Sequence, residues 1–257
     1  MDKIDFTDKV AIITGASSGI GAETAIAFAS YGAKLTLVGR DESRLLKTAN
    51  ECVKLNNLVP LWLQLDLTHP GRCETVINKT VEMYERIDIL INCAGKVTLS
   101  SVFDDTMDIF DEVMNINFRV PYHLTQLALP HIMKTKGNIV NIGSSMSRRY
   151  KPGSLIYTIS KSALDVFAKL AAPELAMEGV RINTISPGST RTNILQNLDI
   201  KEDHIRDLAY KELANQMPHG RMIEPKEIAT LICLTASDMF PHLNGSELLI
   251  DGAASMA

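Results

Sequence analysis

Tyr157 and Lys161 stand four residues apart in YTISK, a spacing that puts both side chains on one face of a helix. A tyrosine in water releases its proton only near pH ~10, and a neighbouring ammonium favours the phenolate and lowers that value. Such a pair can exchange a proton with a bound molecule closer to neutrality. The same residues also fit a half-buried aromatic beside a solvated charge. What the rest of the chain builds around them separates the two readings.

A second group with chemical meaning is TGASSGIG, Thr14 to Gly21. It follows the uniformly apolar VAIIT and opens a helix-length stretch. Gly15 permits a sharp turn, Gly19 lets main chain approach a pyrophosphate, and Gly21 lets the helix pack on the strand. The free N–H groups of the helix N-terminus then face the phosphates, with Ser17, Ser18 and Ile20 completing the loop. The spacing is GxxxGxG rather than GxGxxG, and no Gly-Lys pair follows as in a P-loop. A purely structural turn would use the same glycines, but the strand before and the helix after favour a dinucleotide.

After the second strand, an NAD site commonly has an acid for the ribose 2′-hydroxyl. This chain has Gly39 and then Arg40. A guanidinium suits a 2′-phosphate, which favours NADP(H) and leaves NAD(H) as the alternative. Arg40 also fits a plain exposed charge, and Asp41 beside it fits a ribose. Asp66 and Leu67, in QLDLT, close the third strand. The Asp66 carboxylate suits an adenine amino group, or a cap on the next helix.

The elements that must position these residues follow one rhythm. VAIIT, Leu35 to Gly39, VPLWLQL, Ile87 to Asn92, Gly137 to Gly143, VRINTIS and ELLID read as strands. Between them lie helices: one stopped by Gly32, one capped by Asp41 and running to about Leu55, and one from Pro70 to Tyr84. A long helix spans Asp108 to Lys134, kinked at Pro121 and Pro130, and others span Ser154 to Glu178 and Glu227 to Ser237. Strand–helix alternation without a linker or repeat predicts a single α/β domain over residues 1–257. It is doubly wound and Rossmann-like, with a parallel seven-stranded sheet and helices on both faces. Ligands of such sheets bind at the carboxyl ends of the strands.

Composition narrows the function. The net charge of -4 is spread along the chain, which argues against a nucleic-acid partner. No apolar run reaches the roughly 18 residues of a membrane span, and charges continue up to the first strand, unlike a secretory signal. Cys52, Cys73, Cys93 and Cys233 are widely spaced, as for reduced thiols in a cytoplasmic protein, and the histidines show no metal-ligand spacing.

With NCAG after the fourth strand and YTISK after the fifth, the chain resembles the short-chain dehydrogenase/reductase family over essentially its whole length. TGASSGIG, DLT, NCAG, NIN, IGSS, YTISK and SPGSTRT occur in the family's order. The resemblance implies that Tyr157 is the general acid/base and that Lys161 is its partner and holds the nicotinamide ribose. It implies that Ser144 steadies the substrate carbonyl, with Ser145 as the second choice. Asn117 corresponds to the asparagine that kinks its helix and binds a water in the proton path, with Asn115 as runner-up. Asn92, Ala94 and Gly95 pass the cofactor ribose, and Pro187, Gly188, Thr190 and Thr192 hold the nicotinamide. A homodimer or homotetramer is implied. Cys93 departs from the usual Asn or Ala, and Gly143 from a frequent Ser.

The expected reaction is hydride transfer between NADP(H) and a small-molecule ketone or alcohol; a cofactor-binding sensor without turnover is the rival. The substrate end is bounded by Lys96 to Ser101, Ser145 to Leu155 and the stretch after Thr192. Met146, Leu155, Ile194 and Leu195 suit a lipophilic ketone such as a steroid or isoprenoid. Arg148, Arg149 and Lys151 suit an acidic carrier, or a solvated cluster. The polar stretch 193–221 suits a lid.

Overall fold

The computed structural model describes residues 4–103, 105–150, 152–193 and 203–256. In chain order the elements are β1 (Val10–Thr14), α1 (Gly19–Ser30), β2 (Lys34–Gly39), α2 (Glu42–Asn56), β3 (Leu61–Gln64), α3 (Arg72–Tyr84), β4 (Ile89–Asn92) and α4 (Met107–Met114). A wide π-helical turn (Asn115–Arg119) leads into α5 (Val120–Thr135), followed by β5 (Asn138–Ile142) and a short 3-10 turn (Ser145–Ser147). Then come α6 (Leu155–Ala176), β6 (Arg181–Pro187), α7 (Asp203–Asn215), α8 (Pro225–Ala236) and β7 (Glu247–Ile250).

The strands form one sheet of seven in the order β3-β2-β1-β4-β5-β6-β7, and every pairing is parallel. The chain winds outward from β1 on one side and from β4 on the other, so the loops after β1 and β4 part at a switch point. β1, β4, β5 and β6 are buried throughout; β1 and β4 are largely apolar runs, whereas β5 and β6 also bury polar side chains such as Asn138, Asn141, Asn183 and Thr184. On one face Phe28, Leu45 and Ile228 from α1, α2 and α8 pack on Ile13, Leu37 and Ile91. On the other, Val76, Leu124 and Ala168 from α3, α5 and α6 pack on Ile12, Leu90 and Ile139. Each large buried side chain contributes about 1.5–3 kcal/mol.

Local chemistry sets the helix ends. Asp41 accepts the Arg44 N–H at 2.9 Å and starts α2. Gly32, at φ +86°, follows the end of α1. The expected long helix over 108–134 is interrupted. Pro121 has no N–H to offer the Asn117 carbonyl, and the backbone widens just ahead of it, where the Val120 N–H reaches the Asn115 carbonyl instead. Pro130, by contrast, lies within α5. The stretch 193–221 contains α7 among its described residues. No helix among the described residues is long and apolar enough to cross a membrane.

Candidate active site

At the switch point the two loops are tied by Thr14, the last residue of β1. Its hydroxyl accepts the N–H groups of Cys93 and Ala94 at 3.0 Å each and donates to the Ile91 carbonyl at 3.3 Å. Gly15 has φ +69°, and a Cβ there would lie 3.0 Å from the Ala94 main chain. A Cβ on Gly21 would run into the Gly15 carbonyl. The glycine loop is therefore folded tightly on itself, and α1 begins behind it. Ser18, the N-cap of α1, makes no side-chain cap bond. The first-turn N–H groups of α1 remain for an anion in the cleft.

That cleft, about 520 Å³, runs along the carboxyl edge of the sheet and is lined by Gly15, Ser17, Ser18, Gly19, Ile20 and Gly21. Its far wall is formed by Ala94, Gly95, Ser144, Tyr157, Lys161, Pro187, Gly188, Thr190 and Thr192. The bare helix N-terminus, the close-packed glycines and a lining drawn from the loops after β1 to β6 fit a dinucleotide. On the other side of the glycine loop, after β2 and β3, the lining continues with Arg40, Asp66 and Leu67. Arg40 Nη1 lies 3.9 Å from Asp66 Oδ2, with 66% of the arginine side chain exposed. Asp66 Oδ1 accepts the Thr68 N–H and hydroxyl at 3.0 and 2.7 Å. It does not cap α3, whose N-cap is Gly71. Asp41 is occupied by its own helix, accepting from Ser43 as well as from Arg44.

The YTISK pair lies at the first turns of α6. Tyr157 is 8% exposed and Lys161 5%, so the half-buried alternative does not describe them. Burial pushes the Tyr157 phenol up, while the Ser144 hydroxyl beside it pulls the other way. The lowering expected from Lys161 is not found: burial raises the phenol, and the opposing pull comes from Ser144. Lys161 is itself pushed down to about 8 by burial, offset in part by Cys93. Its Nζ donates to the Ile142 carbonyl at 2.7 Å. Ser144 begins the 3-10 turn, and its Oγ accepts the Met146 N–H at 3.2 Å. Cys93 lines the cleft as a thiol that burial pushes up to about 12, too high for ready thiolate chemistry.

Two expected site residues are turned away from the cleft lining. Asn92 is buried and donates from Nδ2 to Asn141 Oδ1 at 2.9 Å. Asn117, wholly buried in the π turn, accepts the Lys96 N–H at 2.8 Å and donates to the Lys96 carbonyl at 2.9 Å and to Ser160 Oγ at 3.0 Å. It clamps the main chain that follows Gly95. Its rival Asn115 lines the cleft and reaches the Thr68 carbonyl at 3.4 Å.

Comparison with known proteins agrees with this geometry. The family model described as enoyl-(acyl carrier protein) reductase matches residues 15–254. A 3-oxoacyl-(acyl-carrier-protein) reductase of Thermotoga maritima is 31% identical over 245 residues, covering 95% of this chain and 96% of the relative. The chain belongs to the short-chain dehydrogenase/reductase family. An L-fucose dehydrogenase of Rattus norvegicus is 31% identical over 98% of this chain and 91% of its own length. A short-chain dehydrogenase/reductase from Caenorhabditis elegans, of unknown function and solved with cofactor, superposes with TM-score 0.92 at 31% identity, over 98% of this chain and 97% of that one. Short-chain dehydrogenases/reductases are oxidoreductases that use NAD(P)(H) on small-molecule substrates.

For this member of the short-chain dehydrogenases/reductases, the sequence reading missed several residues of the site. Thr14, which is not part of the cleft lining, ties the two loops at the switch point and is signalled only by a hydroxyl at the end of an apolar strand. Leu213 and Met222 add apolar lining beside Met146. The loop carrying Thr190 is held by a bridge in which Arg191 N–H donates to the Ile223 carbonyl and Ile223 N–H to the Ser189 carbonyl, both at 2.9 Å. Arg148 is committed to Glu247, and Leu155 does not line the cleft. Lys151, Ile194 and Leu195 lie outside the described residues.

Proposed function

We propose that the protein is an NADP(H)-dependent carbonyl reductase, acting as an alcohol dehydrogenase in reverse. The observation that carries this reading is the convergence of Ser144, Tyr157 and Lys161 on the cleft that the glycine loop also lines. The nicotinamide cofactor, when bound, supplies or accepts the hydride. The chain's residues do the rest. The Ser144 hydroxyl orients the carbonyl oxygen and stabilises charge developing on it. The Tyr157 O–H delivers the proton to that oxygen, or in reverse its oxygen removes it. Lys161 holds positive charge on the same face of α6, and Asn117 keeps the neighbouring main chain in place.

The glycine loop and the first turn of α1 would hold the pyrophosphate, and Asp66 would take the adenine amino group. Gly95, Pro187, Gly188, Thr190 and Thr192 enclose the nicotinamide half. Arg40 supports NADP(H), since its exposed guanidinium stands at the ribose end while Asp41 is spent on its helix cap. Met146, Leu213 and Met222 favour a lipophilic ketone, such as a steroid or isoprenoid, over a charged one. A lid is proposed for the stretch 193–221; among its described residues, α7 is joined to the cleft loop by the Tyr210 hydroxyl, which donates to the Thr192 carbonyl at 2.7 Å. Exposed Ile159, Val166 and Leu170 on α6 favour a homodimer or homotetramer, and four free thiols favour the cytoplasm.

The test is oxidation of NADPH and NADH over steroid, isoprenoid, acyl-thioester and small aromatic ketones. Turnover of at least one ketone with NADPH preferred is expected. NADPH binding with no turnover on any ketone would overturn the assignment.

A further inference from the structure

Glu247 opens β7 with a carboxylate whose side chain is only 3% exposed. Arg148 donates to its Oε2 through Nε at 2.8 Å and Nη2 at 2.6 Å. Ser186 donates to Oε1 at 2.8 Å, and the Ser147 hydroxyl stands 3.2 Å from the same oxygen. Lys169 Nζ, paired with Asp165 at 2.6 Å, lies 3.8 Å from Oε2. A charge this buried persists only when paired and hydrogen-bonded. Burial works to raise the carboxyl, but the bonds from Arg148 and Ser186 hold it below its ordinary range.

These partners belong to the turn that presents Ser144. Ser147 donates to the Ser144 carbonyl from both its N–H, at 3.0 Å, and its hydroxyl, at 2.7 Å. The Arg148 N–H donates to the Ser145 carbonyl at 3.0 Å. Preceding the turn is Gly143, where a Cβ would lie 2.7 Å from Ser186 Oγ and 2.8 Å from Thr184 Cγ2. A serine there would meet the hydroxyl that bonds Glu247. The departure at Gly143 thus leaves room for the Ser186–Glu247 bond.

We infer that Glu247 is a positioning residue: through Arg148 and Ser147 it fixes the turn that aims the Ser144 hydroxyl at the substrate oxygen. The inference rests on the role proposed for Ser144, while the anchoring itself can be measured without turnover. A side chain displaced by a fraction of an ångström at a reacting centre loses rate while binding elsewhere is kept.

The experiment compares the full-length wild type with Glu247→Gln, Arg148→Met and the double variant. Amide hydrogen exchange over residues 144–149 is followed without substrate, and kcat and the NADPH Kd are measured on a turned-over ketone. Expected are faster exchange over the turn in each variant, kcat down roughly 10- to 100-fold, an unchanged NADPH Kd, and a double variant no slower than the slower single one. Wild-type exchange would overturn the anchor, and faster exchange with undiminished kcat would overturn the positioning role. Losses that multiply in the double variant would also overturn it, because they place the two residues in separate networks. If Glu247→Gln fails to fold, Arg148→Met, at a half-exposed side chain, decides by the same readouts. A wild type that turns over no ketone defeats the functional reading, while the exchange comparison still judges the anchor.

Discussion

Lys161 donates from Nζ to the carbonyl oxygen of Ile142 at 2.7 Å, in a site where burial has brought its ammonium down to about 8 from the ordinary 10.5. Between those two values the unfolded chain binds more protons than the folded one, so stability rises with pH across that window. Below it the full penalty of the buried charge is present. The unfolding free energy of wild type relative to Lys161→Met should grow by on the order of 2 kcal/mol from pH ~7.5 to ~10. Paired urea titrations at the two pH values measure it. A flat or falling difference would show that the ammonium is not buried as described.

Removing the phenol hydroxyl tests the proton step. Burial raises Tyr157 and keeps it protonated around neutrality, the form a donor needs. Tyr157→Phe should lower kcat for ketone reduction roughly 100- to 10,000-fold and leave NADPH affinity intact in a fluorescence titration. Near-normal turnover would remove Tyr157 from the mechanism.

Arg40 is the test of cofactor choice. Its guanidinium is exposed and only loosely paired, at 3.9 Å, with Asp66. Arg40→Asp should cost about 10- to 100-fold in kcat/KM for NADPH and move the preference towards NADH. An unchanged ratio of the two cofactors in steady-state assays would exclude a phosphate contact.

Asp88 carries a stability prediction away from the cleft. Its buried carboxylate accepts the Val10 N–H at 2.9 Å and the Arg86 Nε and Nη2 at 2.9 and 2.7 Å. It joins the start of β1 to the start of β4. Asp88→Ala leaves an N–H without its acceptor and should cost about 2–4 kcal/mol. The urea midpoint should fall with an unchanged m-value; an unmoved midpoint would contradict it.

Much of the frame could be read from local chemistry. Asp41 as a cap, Gly32 as a stop and the apolar strands depend on neighbours in sequence, and they stand where local rules put them. The contacts that depend on distant partners could not be read. Arg148 read as part of a solvated cluster or as a ligand for an acidic carrier, yet its partner Glu247 lies 99 residues away. The Tyr157–Lys161 spacing was plain, but the depth of burial that reverses the expected shift of the phenol belongs to the packed molecule. Pro121 announced a disturbance in its helix without saying that the turn before it would widen and swallow Asn117.

That wide turn, Asn115–Arg119, is a change of phase. A π turn holds one residue more than an α-helix spends on the same advance, and one residue is worth about 100° of rotation. α4 and α5 are therefore two helices in one channel whose stripes are out of step, and Asn117 occupies the residue that sets the offset. Deleting Ile116 would remove that offset and turn the Asn117 amide by about 100° relative to α4, away from the main chain of Lys96. The clamp behind Gly95 exists because the helix is one residue too long.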